Sequence, residues 1–260
     1  MDGASSDYPK ISIITVCYNS EETLKDTLES VASQTYENIE YIVIDGGSKD
    51  GTLDLIEGFR ARIDYMISER DKGIYDAMNK GIRAATGDFV GILNSDDVFA
   101  NSGSIARIAS SIREGGGVDA VYGDLIYVDR SDLNKKVRFY SSRFFRTWKV
   151  RFGLMLPHPT FYARRELFDD LGFYKTDYRV AADFELLSRF LSKGIKVARI
   201  DETLVKMRNG GISSTGFWWR VHQNLEIVRA CRSNGIYTNI LFVSMKLPFK
   251  IASYVMARKP

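Results

Sequence analysis

The first apolar run, residues 11–18 (ISIITVCY), shows no strict alternation of apolar and polar positions, which predicts a central parallel strand covered on both faces. Asn19 or Ser20 then stands where a helix cap is needed. In the stretch that follows, EETLKDTLESVASQ, Leu24, Leu28 and Val31 recur at helical spacing behind an acidic first turn. IEYIVID predicts a second strand ending in the turn GGSKDG. A helix over about 52–62, a strand in IDYMISE, a helix in GIYDAMNKGIRAA and a strand in FVGILN repeat the design. Successive βα units of this size predict an α/β protein with a Rossmann-like, mainly parallel sheet flanked by helices.

From about Val118 the pattern shortens into VDAVYGDLIYVD and KKVRFY, followed by the irregular FGLMLPHPTFYARRELF. A helix is expected at or near Asp183, with Phe184, Leu187 and Leu191 on one face and Gly194 as its stop. A strand KVARID, a loop KMRNGGISS, a helix FWWRVHQNLEIVRACR and a basic, apolar tail complete the chain. The pattern divides into one α/β domain over 1–215, with halves of about 10–117 and 118–215, and a C-terminal helical extension over 216–260.

Charge adds little to this picture and removes one class of partner. With 36 basic and 33 acidic residues the net charge of +3 is too balanced for a strongly basic nucleic-acid-binding protein, so no nucleic acid is expected. Two cysteines, Cys17 and Cys231, support neither a disulfide framework nor a cysteine-based zinc site, which suits a reducing cytoplasm. No run reaches about 18 uninterrupted apolar residues, as a membrane span would need, and residues 1–10 lack a signal-peptide core.

Ligands of such sheets gather beyond the carboxyl ends of the strands, and the polar residues concentrate there, in 18–20, 45–50 and 94–97. In IDGGSKDGT a carboxylate at a strand end, two glycines and a helix-opening residue suit a nucleotide pocket, although a plain tight turn reads the same way. LNSDD offers the hard oxygens that Mg²⁺ or Mn²⁺ takes, or merely a solvated turn. Asp183 fits either a helix cap or a general base.

Six segments, ISIITVCYNS, VIDGGSKDGT, SERDKGIYDAMNKGIRAATGDFVGILNSDD, HPTFYARRELFDDLGF, AADFELLSRF and MRNGGISS, together resemble the family 2 glycosyltransferases, which have the GT-A fold. The resemblance covers roughly 11–214. It implies an inverting enzyme, a hexosyl- or N-acetylhexosaminyltransferase, moving a sugar from a nucleotide diphosphate donor, with uridine diphosphate the expected nucleotide. Asp45 would read the base, with Thr15, Tyr18 and Asn19 forming the other wall. Asp71 would lie near base and ribose, and Lys80 and Arg83 would face the donor. Asn94, Ser95 and Asp96 occupy the family's Asp-x-Asp position, so Asp96 would hold Mn²⁺ or Mg²⁺ and Asn94 would contact ribose or donor sugar. Asp183 would be the catalytic base.

Two departures from the family pattern stand out: Asn94 replaces the usual first Asp, and Ala182 occupies a position where many relatives have Glu. His158 is either a satisfied core histidine or part of the acceptor side. Arg208 is either a surface arginine or, beside Gly210 and Gly211, part of a mobile loop that closes over the diphosphate.

Residues 237–260, with Trp218 and Trp219, suit a membrane interface or helices that pack on the domain or on a second subunit of a homo-oligomer. The interface reading implies a polyprenyl-diphosphate-linked saccharide as acceptor, bacterial surface-polysaccharide assembly, and a peripheral position at the inner face of the cell membrane. A sugar-nucleotide pyrophosphorylase would be expected to carry a glycine-rich basic loop where this chain has CYNSEETL. An inactive nucleotide-sugar-binding module would lack Asp96 or Asp183.

Overall fold

The computed structural model describes residues 8–210 and 217–246. Nine strands form one mixed sheet in the order β3-β2-β1-β4-β8-β6-β9-β5, with β7 paired on β6. The first four, β1 (Ile11–Cys17), β2 (Ile39–Asp45), β3 (Tyr65–Ser68) and β4 (Phe89–Ile92), are parallel to one another. The unalternating apolar run of β1 follows from its central place. Ile14 and Val16 enter one core cluster, and Ile11, Ile13 and Cys17 enter the other.

Helices α1 (Leu24–Ala32) and α2 (Thr52–Gly58) accompany the second cluster, while α3 (Ile74–Ala84) packs on β1 and β2 in the first. A turn precedes α1: the carbonyl of Ser20 accepts the N–H of Thr23 and Leu24, and no side chain caps the helix, so Asn19 and Ser20 do not play the capping role expected of them. Ala77, Met78, Gly81 and Ile82 form the buried stripe of α3. A Cβ at Gly81 would stand 2.4 Å from the Ile14 side chain, so the helix lies against the strand at glycine distance.

The second half reverses direction. Strand β5 (Asp97–Phe99) and helix α4 (Ser104–Glu114) lead to β6 (Ala120–Val128) and β7 (Lys136–Tyr140). Two short 3-10 turns, Thr147–Phe152 and His158–Thr160, precede β8 (Tyr162–Arg164), helix α5 (Glu166–Leu171), helix α6 (Ala182–Ser192) and β9 (Val197–Arg208). β8 is antiparallel to both β4 and β6, while β9 runs parallel to β6 and antiparallel to β5. Strand β9 does not stop at KVARID. It continues through ETLVKMR, because residues 203–208 pair with β6 and residues 205–207 with β5.

Helix α7 (Phe217–Ser233) lies on α6, burying Ile227, Ala230 and Cys231 in the same cluster as Phe184 and Leu187. Helix α8 (Ile240–Ser244) buries Val243 and stacks Phe242 on Phe152, with ring centroids 5.3 Å apart. Of the tail, 237–246 therefore packs on the domain, and 247–260 lie outside the described residues. Among the described residues no helix is long and apolar enough to cross a membrane.

Where β4 meets β8, Gly91 pairs with the fully buried Tyr162, and a Cβ at Gly91 would come within 2.2 Å of that ring. Gly91→Ala is expected to destabilise the protein by about 1–3 kcal/mol through overpacking, read as a lowered urea midpoint with an unchanged m-value.

Candidate active site

Hydrogen bonds interlock the three loops at the carboxyl ends of β1, β2 and β4. Asn19, with φ 48°, is the sole non-glycine residue at positive φ among those described, and it donates its N–H to Ser48 Oγ at 2.8 Å. Its side-chain oxygen accepts the N–H of Lys49 at 2.9 Å. Ser20 N–H reaches Thr52 Oγ1 at 2.7 Å, and Glu21 and Asp50 exchange similar bonds with the facing backbone. The hydroxyls of Ser20 and Ser95, 3.0 Å apart, bind the third loop to the first.

Asp45 closes β2 and is fully buried. Its carboxylate accepts the N–H of Gly47 and Ser48 at 3.0 Å and the hydroxyls of Ser48 and Ser68 at 2.5 Å. An acceptor-only group at a strand end thus folds the glycine turn over itself. The turn is narrow where it meets the next segment. A Cβ at Gly46 would stand 2.6 Å from Asp71 Oδ2 and 3.4 Å from the ring of Tyr18, whose exposure is 60%. Asp71 and an exposed aromatic ring therefore border one spot above the turn that Asp45 folds, a geometry suited to a planar base. Ser48 and Ser68 were not evident as participants, although serines near a strand-end acid are the residue type that could have suggested them.

Thr15, expected in the pocket wall, is fully buried in the core, where its Oγ1 accepts the Tyr41 hydroxyl at 3.0 Å. Lys80 pairs with Glu69 at 2.8 Å and lies 3.9 Å from Asp76; the hydrogen bond to Glu69 raises its pKa. The guanidinium of Arg83 covers the Phe173 ring.

In the third loop, burial raises the pKa of Asp96, and burial followed by the charge of Asp96 pushes that of Asp97 well above its ordinary value. Asn94 Oδ1 and Asp97 Oδ1 are buried without a hydrogen-bond partner. An amide and a carboxylate oxygen without partners, beside the Asp96 carboxylate, fit a divalent cation, which would satisfy both and offset the adjacent charges. Among the described residues no three His, Cys, Asp or Glu side chains converge on one point. Such a cation would draw its remaining ligands from water and from a donor's phosphates, as Mg²⁺ commonly does.

Arg208 is neither a surface residue nor part of a loop. It ends β9 with 6% exposure, where its guanidinium donates to the Asp96 carbonyl at 3.0 Å, to the Arg130 carbonyl at 3.1 Å and to the Asp26 carboxylate. Antiparallel pairing with β5 carries it there, and it braces the Asp96 backbone from behind. Residues 211–216 of the expected mobile loop lie outside the described residues.

Asp183 lies in the first turn of α6. Burial raises its carboxyl pKa to about 6, against the opposing hydrogen bond from Phe184 N–H at 2.7 Å. Helix α3, which begins just after Asp71, fixes the approach to this residue. Tyr75 donates its hydroxyl to the Val180 carbonyl at 2.7 Å, and Asn79 exchanges two bonds with the backbone of Tyr174. His158 is a satisfied core histidine: its Nε2 lies 2.6 Å from the Tyr174 hydroxyl, and burial lowers its pKa to about 4. Beside the 179–181 segment lies a cavity of about 380 Å³ lined by Arg179, Trp218, Trp219, Val221, His222 and Leu225.

The model of a family described as Glycosyl transferase family 2 matches residues 12–172. A PGL/p-HBAD biosynthesis glycosyltransferase of Mycobacterium bovis (strain BCG / Pasteur 1173P2) is 34% identical over 212 residues, covering 80% of each chain. The structure of S. aureus TarS 1-349 in complex with UDP-GlcNAc superposes with a TM-score of 0.67 at 19% identity, over 96% of this chain and 76% of that one. Mannosyltransferase PcManGT from Pyrobaculum calidifontis, in complex with GDP-Man and Mn²⁺, gives 0.65 at 20% identity, over 96% and 74%. At these identities the likeness concerns the fold, and that fold is GT-A.

Proposed function

The chain belongs to glycosyl transferase family 2 and is a glycosyltransferase, and from that premise we propose that it transfers a sugar, with inversion, from a UDP-sugar to the hydroxyl of a lipid-linked saccharide. The observation that carries the reading is the joining, by α3, of the Asp71 end of the donor loops to the segment just ahead of Asp183, a partly buried carboxyl whose pKa of about 6 suits proton abstraction near neutrality. Asp183 takes the acceptor proton, and the acceptor oxygen displaces the nucleotide diphosphate at the anomeric carbon. Asp45, Asp71 and Tyr18 hold the base end of the donor. Asn94 and Ser95 would contact the ribose or donor sugar, and Asp96, with Asn94 Oδ1, would hold Mn²⁺ or Mg²⁺. When bound, that ion supplies charge neutralisation for the leaving diphosphate.

Uridine is favoured by the structural likeness to a protein solved with UDP-GlcNAc. A lipid-linked acceptor is supported by the tryptophan-lined cavity beside residues 179–181 and by the exposed Trp148, Trp218, Tyr237 and Leu241 on the same half of the chain. These features fit bacterial surface glycolipid or polysaccharide assembly at the cytoplasmic face of a membrane.

The test is turnover and binding across UDP-, GDP- and TDP-sugars, with and without Mn²⁺, using free and prenyl-diphosphate-linked saccharides as acceptors. One UDP-sugar consumed with metal, giving an inverted product on the lipid-linked acceptor, is expected. A product of retained configuration, or binding of no nucleotide sugar, overturns the reading.

A further inference from the structure

Glu226 lies in the middle of α7, beyond the segment matched by the family model, and is only 7% exposed. Its carboxylate reaches across to another part of the chain. Oε1 accepts the N–H of Arg179 at 2.7 Å, and Oε2 accepts those of Val180 and Ala181, both at 2.9 Å. These three residues immediately precede α6, whose capping position is Ala181, a side chain with no acceptor to offer. Val180 and Ala181 are buried, so without Glu226 their N–H groups would be shut away from water unsatisfied. A carboxylate on a different helix thus satisfies the three amides that lead into α6, the last of them two residues ahead of Asp183.

The clamp has two sides. Tyr75 donates to the Val180 carbonyl from α3 while Glu226 accepts the Val180 N–H from α7, so both polar groups of one peptide segment are held from opposite elements. His222 Nε2 lies 3.4 Å from Glu226 Oε1, Arg229 on the same helix pairs with Asp177, and Tyr75 and Tyr174 face Asp183 from α3 and from the segment before α6. Helix α7 does not depend on Glu226 for its seat. Ile227, Ala230 and Cys231 are buried beneath it, and Asn234 donates to Glu185 of α6 at 3.2 Å.

We propose that Glu226 is a positioning residue that sets the place of Asp183 by clamping the backbone of residues 179–181. This rests on the reading of Asp183 as the base. The same carboxylate adds its charge to burial in raising the Asp183 pKa, so it acts on both the place and the proton affinity of that group. A base displaced by about 1 Å costs on the order of 100-fold in rate.

Glu226→Gln is nearly isosteric but has a single accepting oxygen, so it keeps at most part of the clamp and none of the charge. The expected result is a fall in kcat of about 100-fold with little change in KM for the donor. The acidic limb of the pH profile should move to lower pH, and amide exchange should quicken at Arg179, Val180 and Ala181. Glu226→Asp, which restores the carboxylate on a shorter arm, should recover part of kcat and return the limb upward. Unchanged kcat and pH profile in a folded Gln variant overturn the proposal. Failure of both variants to fold does so too, because the carboxylate would then be a stability element alone. Full activity of Asp183→Asn would instead defeat the base assignment, while amide exchange at 179–181 would still report the clamp by itself.

Discussion

Asp183→Asn is expected to lower kcat by about 10³-fold while the donor binds as before, since a positioned general base contributes roughly 10²–10⁴-fold and the amide cannot take a proton. The substitution is nearly isosteric, and its side-chain oxygen can still accept the Phe184 N–H. Two pH dependences accompany it. For the wild type, kcat/KM should rise as pH increases through about 6, where the partly buried carboxyl ionises, and the Asn variant should lack that limb. Stability should move the other way. The folded-state pKa is above the unfolded value of 3.8, so the unfolded chain releases this proton first as pH rises. The group therefore costs nothing below about pH 4, and its full penalty is present above about pH 6. Asp183→Asn should then melt higher than the wild type at pH 7 and alongside it at pH 4. A variant with wild-type kcat, or one that melts lower at pH 7, would contradict the assignment.

The second large effect belongs to Asp96. Asp96→Ala should reduce kcat/KM by about 100-fold or more, comparable with removing a main electrostatic stabiliser of a developing charge. It should also abolish the increment in UDP affinity that Mn²⁺ gives the wild type in titration calorimetry. The second readout matters because it does not depend on turnover. The variant should fold. Arg208 holds the Asp96 carbonyl, which alanine retains, and the change removes a negative charge from beside the buried Asp97. Metal-enhanced UDP binding that survives the substitution would move the cation site elsewhere.

The architecture of the first half was legible because each strand carries its evidence locally. Ile11–Cys17 and Ile39–Asp45 are buried on both faces and so read as mostly apolar runs without strict alternation, and the rule that ligands gather at strand carboxyl ends selected three loops that prove to be hydrogen-bonded together. Thr15 was misplaced because a hydroxyl near a strand end looks the same whether it faces a ligand or a buried phenol, here that of Tyr41. The length of β9 was hidden in KMR, whose polar letters read as loop. Its partners are residues 124–128 of β6 and 97–99 of β5, some eighty and more than a hundred positions earlier, and those pairings make the segment a strand and carry Arg208 beneath Asp96. Glu226 left no mark at all, since a glutamate in an amphipathic helix is normally a solvated one, and its meaning lies in three amide groups elsewhere in the chain.

The seating of α7 against the 179–181 segment also bears on how the protein is made. Chains emerge N-terminus first at about 5–20 residues per second, and the parallel sheet that builds the donor loops is complete in sequence well before Glu226 leaves the ribosome. For roughly 7–27 s at those rates the nascent chain would hold the donor loops without the residue that clamps the segment ahead of Asp183. On the proposed roles, the parts that hold the donor would therefore be made before the part that places the base.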